Sequence, residues 1–158
     1  GSDPTKVELH LVGDGPEKES LVRLASELGV RNAFFHPPLK GKELDRMFDE
    51  CDAALGVLGL SRKGLKEMSP LKHREYYARV IPFIYSGHDL DIPEDAPFTL
   101  RLVEDEEISL CRIIEFALRM RERSSHPAEM REFASKNLDW KVKARELSDF
   151  FRSVLAGS

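Results

Sequence analysis

The chain has 158 residues, 41% of them hydrophobic and 33% charged, with a formal net charge of −4. That length suits one domain with a real core, and the composition excludes the disordered and fibrous classes. Mixed charge signs argue against a general nucleic-acid binder, and no apolar run approaches the ~20 residues of a membrane span.

The N-terminus, GSDPTKVE, lacks the basic-then-apolar order of a signal peptide, and Gly1 and Ser2 read as a cloning scar. In KVELHLVGDGPEKESLVRLASELG, Val7, Leu9, Leu11 and Val12 form a short apolar strand, Gly13 to Gly15 turn it, and Pro16 suits the first helical position. Leu21, Leu24, Ala25 and Leu28 make that helix's buried stripe, and Gly29 its stop. Ala33 to His36 is a second strand, ended by Pro37 and Pro38, and KELDRMFDEC is a helix with Leu44, Met47, Phe48 and Cys51 inward.

AALGVLGL is the next buried strand, residues 61–69 a polar loop, 70–79 a helix and VIPFIYS a further strand. An Asp- and Pro-rich loop over 86–97 precedes a last strand around FTLRLV; helices follow over roughly 108–122, 127–137 and 140–155. Strands that alternate with helices and are apolar on both faces predict an α/β domain, a doubly wound, Rossmann-like parallel sheet. Its ligand belongs at the carboxyl ends of the strands.

Several groups have plain readings. Cys51 and Cys111 show no metal spacing and read as reduced core thiols, in line with a cytoplasmic protein. GDGPEK lacks the third glycine of a dinucleotide fingerprint, because Lys18 stands there. His10 reads as a core residue, and His36, at a strand's carboxyl end, equally as a residue lining the cleft or as an ordinary packed one; His88, Asp89 and Asp91 read as turn residues rather than a metal cluster. Tyr76, Tyr77, Phe83 and Tyr85 read as core aromatics, and Trp140, Ala144, Leu147, Phe151 and Leu155 as a packed helical stripe.

Chemistry is expected at the loop LSRKGLKEMS, which carries Arg62, Lys63 and Lys66 and runs into a helix with Ser69 as N-cap and Pro70 at N1. A helix start offers free N–H groups from Leu71 and Lys72, and the Lys72 side chain adds full charge, which together make an anion site. Glu75 shares a face with Leu71 and Ala78, the greasy one if the helix begins at Pro70. A carboxylate there is costly unless paired, and it could accept hydrogen bonds from a ribose diol or pair with Arg79 or His73.

Glu67 and Glu75 are separated by seven residues, and this spacing resembles the two-glutamate signature of retaining glycosyltransferases of the GT-B type (group 1, family 4-like). LHLVGDGPEKESL, FFHPPLKGKELDRMFDECDAAL, SPLKHREYYARVIPFIYS and NLDWKVKARELSDFF are similar to successive pieces of that family's C-terminal, nucleotide-sugar-binding domain. The resemblance implies one donor-binding domain over residues 3–156. Within it Glu67, the catalytic candidate, would face the donor sugar. Ser69, Leu71 and Lys72 would hold the diphosphate, Glu75 the ribose, and Pro38 and Leu39 the base. It also implies transfer of a sugar from a nucleoside-diphosphate sugar, UDP- or GDP-linked, to an acceptor hydroxyl, without a metal or other cofactor.

Two departures bear on that expectation. Pro70 has no N–H to give a phosphate. The chain also begins at what looks like the family's second strand, so the first strand-helix unit and the N-terminal acceptor domain are expected to be missing and the fragment alone inactive. The intact enzyme's partners would then be the nucleotide sugar and that missing half, through which alone any peripheral membrane association is expected; no nucleic acid is. The alternatives are a non-catalytic regulatory or assembly domain of the same architecture, or another GT-B enzyme such as a sugar epimerase.

Overall fold

The structure, a computed structural model, describes residues 7–104 and 106–156, without the Lys63 side chain. Gly1, Ser2, the Asp3 start of the domain and the Lys63 ammonium lie outside the described residues. The chain packs as two compact units, one up to Glu50 and one from Cys51 onward.

In the first unit β1 (Leu9–Val12) pairs in parallel with β2 (Ala33–His36), Leu9 opposite Ala33 and Val12 opposite His36. The helix α1 (Lys18–Glu27) is the crossover that a parallel pair requires, and α2 (Lys42–Asp49) follows. Helix α1 starts two residues later than Pro16 predicts. Lys18 Nζ donates to the carbonyls of Gly13 at 3.1 Å and His36 at 3.3 Å, tying the turn to the end of β2.

No described residue of this unit is buried, so the inward stripe expected of Leu21, Leu24 and Leu28 is corrected: all three are exposed. Two strands are too narrow a platform to enclose a helix face. For the same reason His10 is not a core residue; it is exposed, with Nδ1 3.0 Å from His36 Nε2 and Nε2 3.3 Å from Glu8.

The second unit runs β3 (Ala54–Leu55), a 3-10 turn (Ser61–Lys63), β4 (Glu67–Met68), α3 (Leu71–Ala78), β5 (Phe83–Ser86), β6 (His88–Asp89) and β7 (Thr99–Leu102). Then come α4 (Leu110–Glu122), α5 (His126–Phe133), a π turn (Ala134–Leu138) and α6 (Trp140–Ala156). Strands β3, β5 and β7 form a parallel sheet in that order, and β4 pairs in parallel with β6. The chain is thus α/β with parallel strands, consistent with a Rossmann-like fold, and its described strands group into three short sheets. AALGVLGL forms strand over Ala54–Leu55 and keeps backbone hydrogen bonds to β5 as far as Val57, before Gly59, at φ +67°, and the 3-10 turn divert it.

All four residues of β5 are buried. Around them pack Tyr77, Phe116, Met120 and Met130, the last three each roughly a 1.5–3 kcal/mol burial for a Phe- or Met-sized side chain. Helix α3 presents His73, Tyr76 and Tyr77 to this core. The Tyr77 ring stands edge-on to Phe83 at 5.7 Å and 4.8 Å from Phe133. The expected greasy face is therefore corrected: Leu71 is 71% exposed, and Glu75 and Ala78 are exposed with it. Two adjacent aromatics, Tyr76 and Tyr77, outweigh one leucine in setting which side turns inward.

The same helix ends with Val80 at φ +58°, donating to the Tyr77 carbonyl at 3.1 Å, while Ile81 donates to Tyr76 at 2.9 Å. That closure favours glycine at the left-handed position, where a β-branched residue is strained. Val80→Gly is expected to raise unfolding stability by up to about 1 kcal/mol, the left-handed penalty less glycine's extra chain entropy. An unchanged or lower urea midpoint would show the strain to be absent.

Two further readings change. Cys111 is exposed rather than a core thiol; Cys51 is half-buried, and burial, then the nearby Asp52 charge, pushes its thiol up to about 11. Trp140, Leu147, Phe151 and Leu155 are exposed rather than packed. Among the described residues no helix is long and apolar enough to cross a membrane.

Candidate functional site

The start of α3 meets the carboxyl end of β3. Pro70 is extended (φ −76°, ψ 134°) and precedes the first helical turn, where the His73 N–H already donates to the Pro70 carbonyl at 3.1 Å. The N–H groups of Leu71 and Lys72 have no partner among the described residues. Ser69 does not cap the helix, contrary to expectation: its hydroxyl lies 3.4 Å from Asp91, which draws it away from the N–H groups.

Lys72 reaches back across the helix start. Its Nζ donates to the carbonyls of Leu55, the last residue of β3, at 3.4 Å and of Gly56, the residue after it, at 2.6 Å. No carboxylate pairs with it among the described residues, and burial lowers its pKa from the ordinary lysine value. An ammonium has three donors, so one is left for an anion beside the two free amides.

Glu75 lies one turn further on. Its side chain is 45% exposed and accepts from Arg79 Nε at 2.9 Å, the pairing weighed against a ribose role. Glu67 is exposed in β4, its backbone in register with His88. The second unit thus holds Glu67, Ser69, Leu71, Lys72 and Glu75, whereas Pro38 and Leu39 belong to the first. A hollow of about 540 Å³ opens at the carboxyl ends of β5 and β7, lined by Lys66, His88, Arg101 and Glu104 among others. It adjoins the residue before Glu67, and its lining includes none of Ser69, Leu71, Lys72 and Glu75.

Behind the helix start lies a network that sequence reasoning missed. Asp89, fully buried, accepts from Arg74 at 2.6 and 2.7 Å and from His73 Nδ1 at 2.8 Å. The Val57 N–H occupies His73 Nε2 at 3.1 Å, which places the ring proton on Nδ1. Arg74 also binds Asp91, and Lys143 of α6 reaches Asp91 at 2.8 Å. The two aspartates read as turn residues therefore anchor α3 to β6 and α6. The available signal was an arginine one residue before Glu75 facing a loop with two acids.

Electrostatics follow from that geometry. Burial by itself would raise the Asp89 carboxyl, but the hydrogen bonds from His73 and Arg74 outweigh it and hold the group below the ordinary aspartate value. At Asp91 too burial by itself would raise the carboxyl, but the hydrogen bonds from Lys143 and Arg74 together outweigh it and hold the group below the ordinary aspartate value.

Compared with models of known protein families and with curated proteins, the sequence matches none.

Proposed function

We propose that this chain is the donor-binding part of a GT-B retaining glycosyltransferase, gripping the diphosphate of a nucleotide sugar at the start of α3. The observation that carries the reading is the half-buried Lys72 ammonium, free of any described carboxylate, beside the unpartnered Leu71 and Lys72 amides. Fixed dipoles and one full charge at that point would stabilise the charge that builds on the diphosphate as the sugar leaves it. Glu67 would meet sugar hydroxyls and Glu75 the ribose.

The Glu75–Arg79 pair does not forbid that role. An exposed i,i+4 pair is worth roughly 0.3–0.5 kcal/mol, whereas hydrogen bonds to a charged group contribute about 1.5–3 kcal/mol. A diol can therefore displace the arginine.

A second reading, a non-catalytic assembly domain, draws on the same two contacts: Glu75 is held by Arg79, and Lys72 by two carbonyls. Thermal unfolding with uridine, guanosine and adenosine diphosphates separates the two. The donor reading expects at least one to raise the melting temperature, Lys72→Ala and Glu75→Ala each to remove most of that rise, and Glu75→Ala to leave unliganded stability within about 0.5 kcal/mol. No rise with any of the three favours the assembly domain.

A further inference from the structure

The hollow at the carboxyl ends of β5 and β7 is not used by the nucleotide grip at the start of α3. Its volume, about 540 Å³, falls within the roughly 300–1,000 Å³ of small-molecule sites, and strand carboxyl ends are where parallel α/β sheets place ligands. Among the described residues it is lined by three bases, Lys66, His88 and Arg101, against one acid, Glu104. Glu104 is already engaged, because one of its oxygens accepts from the Ser61 N–H at 3.2 Å. Lys66 has no ion-pair partner among the described residues.

The other two bases share a carboxylate. Glu94, on the loop after β6, pairs through Oε1 with Arg101, and the same oxygen lies 3.4 Å from His88 Nδ1. A carboxylate therefore fits between these two side chains. Its hold is loose: the Glu94 side chain is 60% exposed, and exposed ion pairs contribute little. A free acid that also reaches Lys66 can compete with it.

We infer that the hollow binds a small polycarboxylate, with Glu94 holding the place that the ligand takes. One ligand carboxylate would replace Glu94 on Arg101 and His88, meeting the planar fork of the guanidinium, and a second would meet the Lys66 ammonium. The hollow shares no residue with the start of α3, so the inference does not depend on the nucleotide reading.

Citrate is the probe, titrated by calorimetry into the nucleotide-free protein at fixed ionic strength, with acetate and inorganic phosphate run beside it. Citrate is expected to bind, and acetate and phosphate to bind at least about tenfold more weakly. Lys66→Ala and Arg101→Gln are each expected to weaken citrate at least about tenfold, with the tyrosine circular dichroism of the core as the check on folding. Glu94→Gln is expected to tighten it about two- to fivefold, since the internal competitor is gone. Asp95→Asn makes the same change of charge at the neighbouring exposed position and is expected to leave the affinity as it was.

Four results overturn the proposal. They are no binding of citrate, phosphate bound as tightly as citrate, unchanged affinity in either folded variant of Lys66 or Arg101, and equal gains from Glu94→Gln and Asp95→Asn. The last would reduce the effect to the general charge of the surface.

Discussion

Asp89→Ala is expected to cost the second unit about 3–5 kcal/mol, the range for breaking a buried ion pair by removing one partner. The substitution takes from Arg74, whose side chain is only 15% exposed, both of its bonds to Asp89 and leaves it Asp91 alone, and it leaves His73 Nδ1 without its acceptor deep in the core. Urea denaturation should show the loss as a lower midpoint. The double variant Arg74→Met with Asp89→Leu should cost less than the two single changes added, because no uncompensated charge stays buried.

The pH profile carries the same signature. The folded-state pKa values of Asp89 and Asp91 lie below their unfolded values, so the stability they contribute is present above the unfolded value of about 3.9 and is lost as pH falls through the folded one. Wild-type protein should weaken steeply below about pH 4, and Asp89→Ala should flatten that limb. Parallel acid limbs for the two proteins would remove Asp89 from the account.

Gly56→Ala is expected to be nearly as damaging, at about 3 kcal/mol, the upper part of the overpacking range. A β-carbon there would lie 2.4 Å from His73 Nε2, 2.9 Å from Tyr85 Cβ and 3.0 Å from the Ile84 carbonyl. None of these can yield. The His73 ring is pinned at both nitrogens, and the other two atoms belong to the buried central strand. The glycine lets the end of β3 press against α3, and that approach places the Gly56 carbonyl under the Lys72 ammonium. A denaturation midpoint within about 0.5 kcal/mol of wild type would show that the approach is not made.

The alternation of strands and helices was legible in the sequence because apolar runs and turn residues mark it locally, and the parallel pairing follows from the crossovers. The core aromatics Tyr76, Tyr77, Phe83 and Tyr85 were legible too, since three of the four are almost wholly enclosed. The inner face of α3 was not. Aligning Leu71 with Glu75 and Ala78 gave one phase, while Tyr76 and Tyr77 demanded another, and only packing decides between them.

The two-residue strands β4 and β6 leave no periodic signal, being shorter than any alternation. The Arg74, Asp89 and Asp91 network was hidden for another reason: it joins a helix to a loop beyond the intervening strand, and spacing alone does not reveal such partners. Of the proposed site, the free amides and Lys72 were readable from the helix start. The grip of Lys72 on the end of β3 was not, because it depends on a glycine carbonyl sixteen residues upstream.

The distribution of chromophores decides what an optical melt can see. All three tyrosines lie in the core of the second unit, and the lone tryptophan stands in solvent on α6. The first unit contains phenylalanine alone among the three aromatic types. Tyrosine and tryptophan signals therefore follow the second unit and are silent on the first. A single sharp aromatic transition would leave open whether β1 and β2 had separated many degrees earlier.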